Sequence, residues 1–104
     1  MTTLQRLANW YTHQCDGEWE HLGGVRIESC DNPGWWVKII LKGTGLETLT
    51  FDPKSENVEA QRVQLGPRWL DCRIVDGVWN GAGDETRLEE IIELFLAWVE
   101  QNDK

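Results

Sequence analysis

The densest gathering of reactive side chains is His13-Gln14-Cys15-Asp16-Gly17-Glu18-Trp19-Glu20-His21. Imidazole, thiol and carboxylate are all metal ligands. The spacing His13-x-Cys15 with His21 matches no ligand pattern that has a physical rationale, and further ligands would have to come from elsewhere. A second chemistry is a nucleophilic Cys15 activated by His13 or His21. Against it, Cys15 falls on the apolar stripe of the preceding helix, which argues for a buried, inert thiol. A third role makes no bonds: Asp16, Glu18 and Glu20 would present an acidic surface to a basic protein partner.

Other reaction classes find less. Carboxylates are plentiful, but nothing sets two of them in a defined pocket for glycosidase-like acid and base work. Gly43-Thr44-Gly45 and Gly81-Ala82-Gly83 lack the Lys-Ser/Thr or the strand-to-helix context of a phosphate loop. Gly81-Ala82-Gly83 does precede a helix, yet Asp84 and Glu85 follow and would repel an anion. The serines are Ser29 and Ser55, and neither sits on a nucleophile elbow. The residues argue against an enzyme and imply no metal and no cofactor.

The elements that must position these residues read as helix, strands, helix. From Thr3 to Gln14, Leu4, Leu7, Ala8, Tyr11 and Cys15 recur at helical spacing, with Thr2 or Thr3 as cap and Asp16-Gly17 as stop. Val25 to Cys30 and Trp35 to Lys42 read as two strands of a hairpin, joined by a turn at Asp31-Asn32-Pro33-Gly34. Short strands follow at Thr48 to Phe51 and Val58 to Leu65. Trp69 to Val75 then turns at Asp76-Gly77 into Val78 to Asn80, and Gly81-Ala82-Gly83 releases the chain. From about Glu85 to Gln101, Leu88, Ile91, Ile92, Phe95, Trp98 and Val99 form one apolar stripe. Thr86 and Glu89 have capping-box spacing.

This predicts an α+β fold: a largely antiparallel sheet of about five or six strands, with an N-terminal and a C-terminal helix on one face. Alternation assigns the faces. Trp35, Val37, Ile39 and Leu41 point to the core, while Trp36, Lys38, Ile40 and Lys42 point away. Likewise Leu70, Cys72 and Ile74 oppose Trp69, Asp71 and Arg73. The second face mixes indoles with charge, as the centre of an interface does. A scaffold that self-associates through this Trp-bearing face is an alternative use of it.

Composition bounds the rest. The 104 residues make one domain, 1–104, large enough for a core without staples. No apolar run is long enough to span a bilayer. The N-terminus lacks the basic start and apolar stretch of a secretion signal, so the expected compartment is the cytoplasm. Cys15, Cys30 and Cys72 are odd in number and form no CxxC pair, as expected of reduced thiols. The net charge of -8 disfavours direct nucleic-acid binding. Seven tryptophans are more than so small a core can hide, and some indoles are expected at its edge.

Three stretches together carry a resemblance. They are Trp10-Tyr11 through Gln14-Cys15-Asp16-Gly17-Glu18-Trp19-Glu20-His21, then Asp31-Asn32-Pro33-Gly34-Trp35 with Val37-Lys38-Ile39, and then Cys72-Arg73 through Asp76-Gly77 and Gly81-Ala82-Gly83 to Leu88-Glu89-Glu90-Ile91, Phe95 and Trp98. In order and spacing, over almost the whole chain, they resemble the immunity protein 53 family of bacteria; the stretch from about Gly45 to Pro67 carries no such motif. The resemblance implies a member of a polymorphic toxin system that binds and neutralises a cognate toxin domain without catalysis. Asp16, Glu18, Trp19 and Glu20 in the loop, with Trp36 and Trp69 on the polar sheet face, are the expected contacts. Trp19 has a competing place in the core, closing the helix against the sheet. Trp10, Trp35 and Trp98 are assigned to the core. The contrary reading is a small enzyme or metal-binding protein centred on Cys15, His13 and His21.

Overall fold

A computed structural model describes residues 1–30, 33–58 and 68–102. The elements are α1 (Thr3–Gln14), a 3-10 turn (Trp19–Leu22), β1 (Val25–Cys30), β2 (Gly34–Ile40), β3 (Lys54–Glu56), β4 (Leu70–Val75), β5 (Val78–Asp84) and α2 (Leu88–Asn102). The strands form one antiparallel sheet in the order β1-β2-β5-β4-β3. The α+β architecture with a helix at each end is as expected.

Local chemistry starts and stops the elements. Thr2 and Gln5 form a reciprocal capping box at the head of α1. Asp76 and Gly77 both take positive φ, 50° and 77°, which suits the two-residue turn between β4 and β5. Asp84 accepts from the Thr86 amide at 2.7 Å and from its hydroxyl. This turn delays the helix, so α2 begins at Leu88 and not at Glu85.

The helices cover the face carrying Val37, Ile39 and Leu41 from β2 and its run-out, Leu70 and Cys72 from β4, and Trp79 from β5. Ile91, Ile92, Phe95, Leu96 and Trp98 of α2 are buried against it, as the periodicity predicts. Gly81 and Gly83 lie inside β5, opposite Val37 and Trp35, and do not release the chain. With no side chain there, α2 seats close on the strand. A β-carbon on Gly81 would collide with Ile91 Cγ2 and come within 2.7 Å of the Trp79 ring; one on Gly83 would come within 2.8 Å of Arg87 Cβ.

Several expectations are corrected. No strand forms at Thr48 to Phe51; this stretch is irregular, held because Leu46 is buried while Leu49 and Phe51 pack on the core. The short strand Lys54–Glu56 was not anticipated. Most of Val58 to Leu65, and Asp31-Asn32, lie outside the described residues. On α1 the inward face is Thr3, Leu7 and half-buried Trp10, while Leu4, Ala8, Tyr11 and Cys15 face outward. The buried, inert Cys15 is therefore overturned: its thiol is exposed. Trp98 is buried as assigned, and its indole N–H donates to Thr50 C=O at 2.8 Å. Trp10 and Trp35 are half-buried and pack against the core.

Gly81→Ala should destabilise the fold by about 1–3 kcal/mol through overpacking. Urea denaturation of variant and parent reads this directly, and an unchanged midpoint would show that α2 can shift without penalty.

Candidate functional site

The acidic loop is built on its own carboxylates. Asp16 Oδ1 accepts from the amides of Glu18 and Trp19 at 2.9 and 3.0 Å. Glu20 reaches back, its two carboxylate oxygens accepting from the amides of Asp16 and Gly17 at 3.0 and 2.9 Å. Gly17, at φ 95°, lets the chain close on itself. The backbone amides on Trp19 and Glu18 hold Asp16 below its ordinary carboxylate range, and amide donors likewise depress Glu20. Glu18 differs: it is exposed, and its carboxylate has no hydrogen-bond partner among the described residues.

Trp19 nails this loop to the core. It is 1% exposed, edge-on to Trp10 with ring centroids 5.6 Å apart, and 5.4 Å from Tyr11. Its indole N–H donates to Ile40 C=O at 2.8 Å, where β2 ends. The competing core assignment of Trp19 is the one the structure realises. An indole so enclosed supports the loop from below and is unavailable to fill a pocket on another molecule.

The sheet face away from the helices carries Trp36, 41% exposed. Lys38 Nζ lies 3.9 Å from the Trp36 ring centroid, a cation–π contact, and the indole N–H donates to Asn80 Oδ1 at 3.3 Å. Lys38 covers one side of the ring and, with Asn80, sets its orientation, while the indole stays partly accessible to solvent. Trp69 was expected beside it as a second exposed anchor. It is 8% exposed instead, its ring edge against Gly34, while its C=O accepts from the Asp84 amide. Asp71, on the same face, is buried and takes hydrogen bonds from Ser55 and Arg73. The column Gly34, Trp36, Lys38, Ile40 runs from Trp69 to the acidic loop, whose Gly23 sits by Ile40. Trp36 and Ile40 are therefore roughly 13 Å apart along β2.

The His/Cys grouping does not assemble into a constellation. His13 Nδ1 is 2.8 Å from Asn9 C=O, so it carries a proton directed at its own helix. Cys15 Sγ likewise donates to Tyr11 C=O. Among the described residues no three His, Cys, Asp or Glu side chains gather as metal ligands. The sequence reading missed a cleft of about 550 Å³ between α1, α2 and the 44–49 segment, with Trp10, Leu46, Leu49 and Leu96 as apolar floor and His13 and Glu100 on its rim. No local signal marks it, because its walls come from three distant segments.

Two outcomes check this geometry. A thiol reagent should modify Cys15 in the native protein, while Cys72, fully buried with its pKa pushed up to about 12 by desolvation and by Asp71, should react only on unfolding. Ionised Asp16 and Glu20 stabilise the fold above the ordinary carboxylate range, and that contribution is lost as pH falls through their depressed values. The loop should therefore loosen below about pH 4. Faster exchange of the Trp19 indole proton on acidification would report it; protection unchanged down to global unfolding would refute it.

Compared with known proteins, the chain matches the family model described as Immunity protein 53 over residues 4–100. No curated protein and no solved structure matches it.

Proposed function

The chain belongs to the immunity protein 53 family, and from that premise we propose that it binds a cognate bacterial toxin domain and neutralises it by occupying its surface, without catalysis. The observation that carries the reading is a family match spanning nearly the whole chain. Family membership supports a toxin-neutralising role; the contact residues and the non-catalytic mode are our inference from the surface.

An inhibitor of this kind needs a rigid scaffold, an anchor and a complementary field. The net charge of -8 provides the field. Glu18 meets Lys or Arg of the toxin directly. Asp16 and Glu20 add charge from a loop they also hold in shape. Trp36 offers a fixed indole face, and Trp19 and Trp69 act from beneath as positioning residues. The protein works in the cytoplasm of the toxin-producing cell or its kin, within a polymorphic toxin system, and makes no direct use of nucleic acid or membrane.

The decisive experiment co-expresses the chain with the C-terminal domain of the toxin encoded beside it. Survival and co-purification are expected; equal killing with and without the chain would overturn the proposal. Within the complex, Glu18→Lys should slow association several-fold at low salt and less at high salt. Trp36→Ala should chiefly speed dissociation. Stopped-flow binding separates the two, and rates indifferent to both substitutions would move the interface elsewhere.

A further inference from the structure

The two edges of the sheet are built differently. β3 is three residues long, starts after Pro53 and carries Lys54, the features that blunt an edge against pairing. β1 is six residues long, has neither Pro nor Lys, and among the described residues pairs only with β2. Its burial is low along its length.

The direction of its free hydrogen-bonding groups follows from one contact. Ile40 N–H donates to Gly24 C=O at 2.9 Å, and Gly24 stands opposite Ile40 in the register that continues Val25↔Ile39. In an antiparallel pair hydrogen-bonded positions alternate. Arg26, Glu28 and Cys30 therefore bond to β2, while Val25, Ile27 and Ser29 turn their N–H and C=O groups to the open edge.

That edge is complementary to itself. An antiparallel two-fold pairing centred on Ile27 sets Val25 against Ser29 of the second copy, Ile27 against Ile27, and Ser29 against Val25. All three outward-facing residues then find hydrogen-bonded partners. The same register places Arg26 opposite Glu28 of the second copy, twice, at the positions where side chains approach most closely. Both are exposed in the single chain. On the helix side, Leu4 (63% exposed), Ala8 and Tyr11 line a groove of about 330 Å³ with Val25. Along this stripe of α1, Leu4 and Ala8 are left exposed by the core, and Tyr11 packs one side of its ring on Trp19 while the rest stays accessible. A two-fold axis normal to the sheet brings the stripes of both copies to the same face of the joined sheet, one on each side of the seam.

We propose that the open edge of β1 is a self-association surface: two copies join β1 to β1 antiparallel about Ile27, with the Leu4, Ala8 and Tyr11 stripes flanking the seam. The partner is a second copy because backbone register, charge order and apolar stripe agree on one symmetric arrangement. The inference rests on the sheet edge and is independent of the toxin reading.

Sedimentation of the full chain over a concentration series tests it. The expected result is a reversible species of twice the 12.0 kDa chain mass. Arg26→Glu makes one chain acidic at both paired positions, and Glu28→Arg makes another basic at both. Each alone should raise the dimer dissociation constant by about tenfold or more. An equimolar mixture of the two should restore the dimer, because every seam pair is then of opposite charge. Circular dichroism checks that both variants fold, as exposed positions predict. A chain monomeric at every concentration, or a dimer indifferent to both reversals, overturns the proposal. So does a monomeric chain in which the reversals alter toxin binding instead, since the edge would then take a foreign strand. The sedimentation readouts need no toxin, so their failure is distinguishable from failure of the toxin reading.

Discussion

The close seating of α2 on β5 is the constraint from which the rest of the molecule is hung. It is possible because Gly81 and Gly83 put nothing between strand and helix, so Ile91 reaches the sheet itself. The gap beside them is filled by Trp79, fully buried, which meets Phe95 edge-on at 5.2 Å and Phe51 at 5.6 Å. Edge-to-face pairs of this kind add about 0.5–1.5 kcal/mol each beyond the area they bury. From Phe95 the ring contacts continue to Trp10 at 4.9 Å, and from Trp10 to Trp19. An aromatic path therefore leads from the glycine track to the acidic loop. The loop holds its place because α2 does.

Polar groups do the corresponding work at the margins. Arg87 is buried between Glu90, Glu56 and the Arg68 carbonyl, and so joins α2 to β3 and to the start of β4. Removing one partner of such a cluster would leave a buried charge unmatched. Arg6 bridges Glu93 and Glu100, joining α1 to α2 across a half-exposed seam that contributes less. In the acidic loop the same carboxylates serve twice. Asp16 and Glu20 satisfy backbone amides and still present negative charge outward, so shape and field cannot be altered separately there. Glu18 is the position where they can.

Much of this was legible in advance, and the reasons are local. The stripe of α2 survives because helical periodicity records which side faces a core. The Asp76-Gly77 turn survives because positive φ favours these residues. Other signals misled for equally physical reasons. Gly81-Ala82-Gly83 looked like a chain release because glycine weakens isolated strands; its value here lies in what it lets approach. Leu4, Ala8, Tyr11 and Cys15 do form an apolar stripe, yet α1 rotates to place Leu7 and Trp10 inward, where Phe95 and Trp19 await. Trp69 alternates with Leu70 as a surface position should, but lies against Gly34, whose missing side chain leaves room for its ring.

The order of elements, the hairpin, the apolar face of α2 and the acidic character of the 16–20 loop are properties of neighbouring residues, and they were legible before any distant contact was known. Which apolar stripe of α1 turns inward, which indoles are enclosed, where the cleft opens and which sheet edge stays unpaired were decided only by the tertiary structure. Periodicity tells a residue that it is apolar and on which side of its own element it lies. Only the packing of distant segments tells it whether another surface is waiting there.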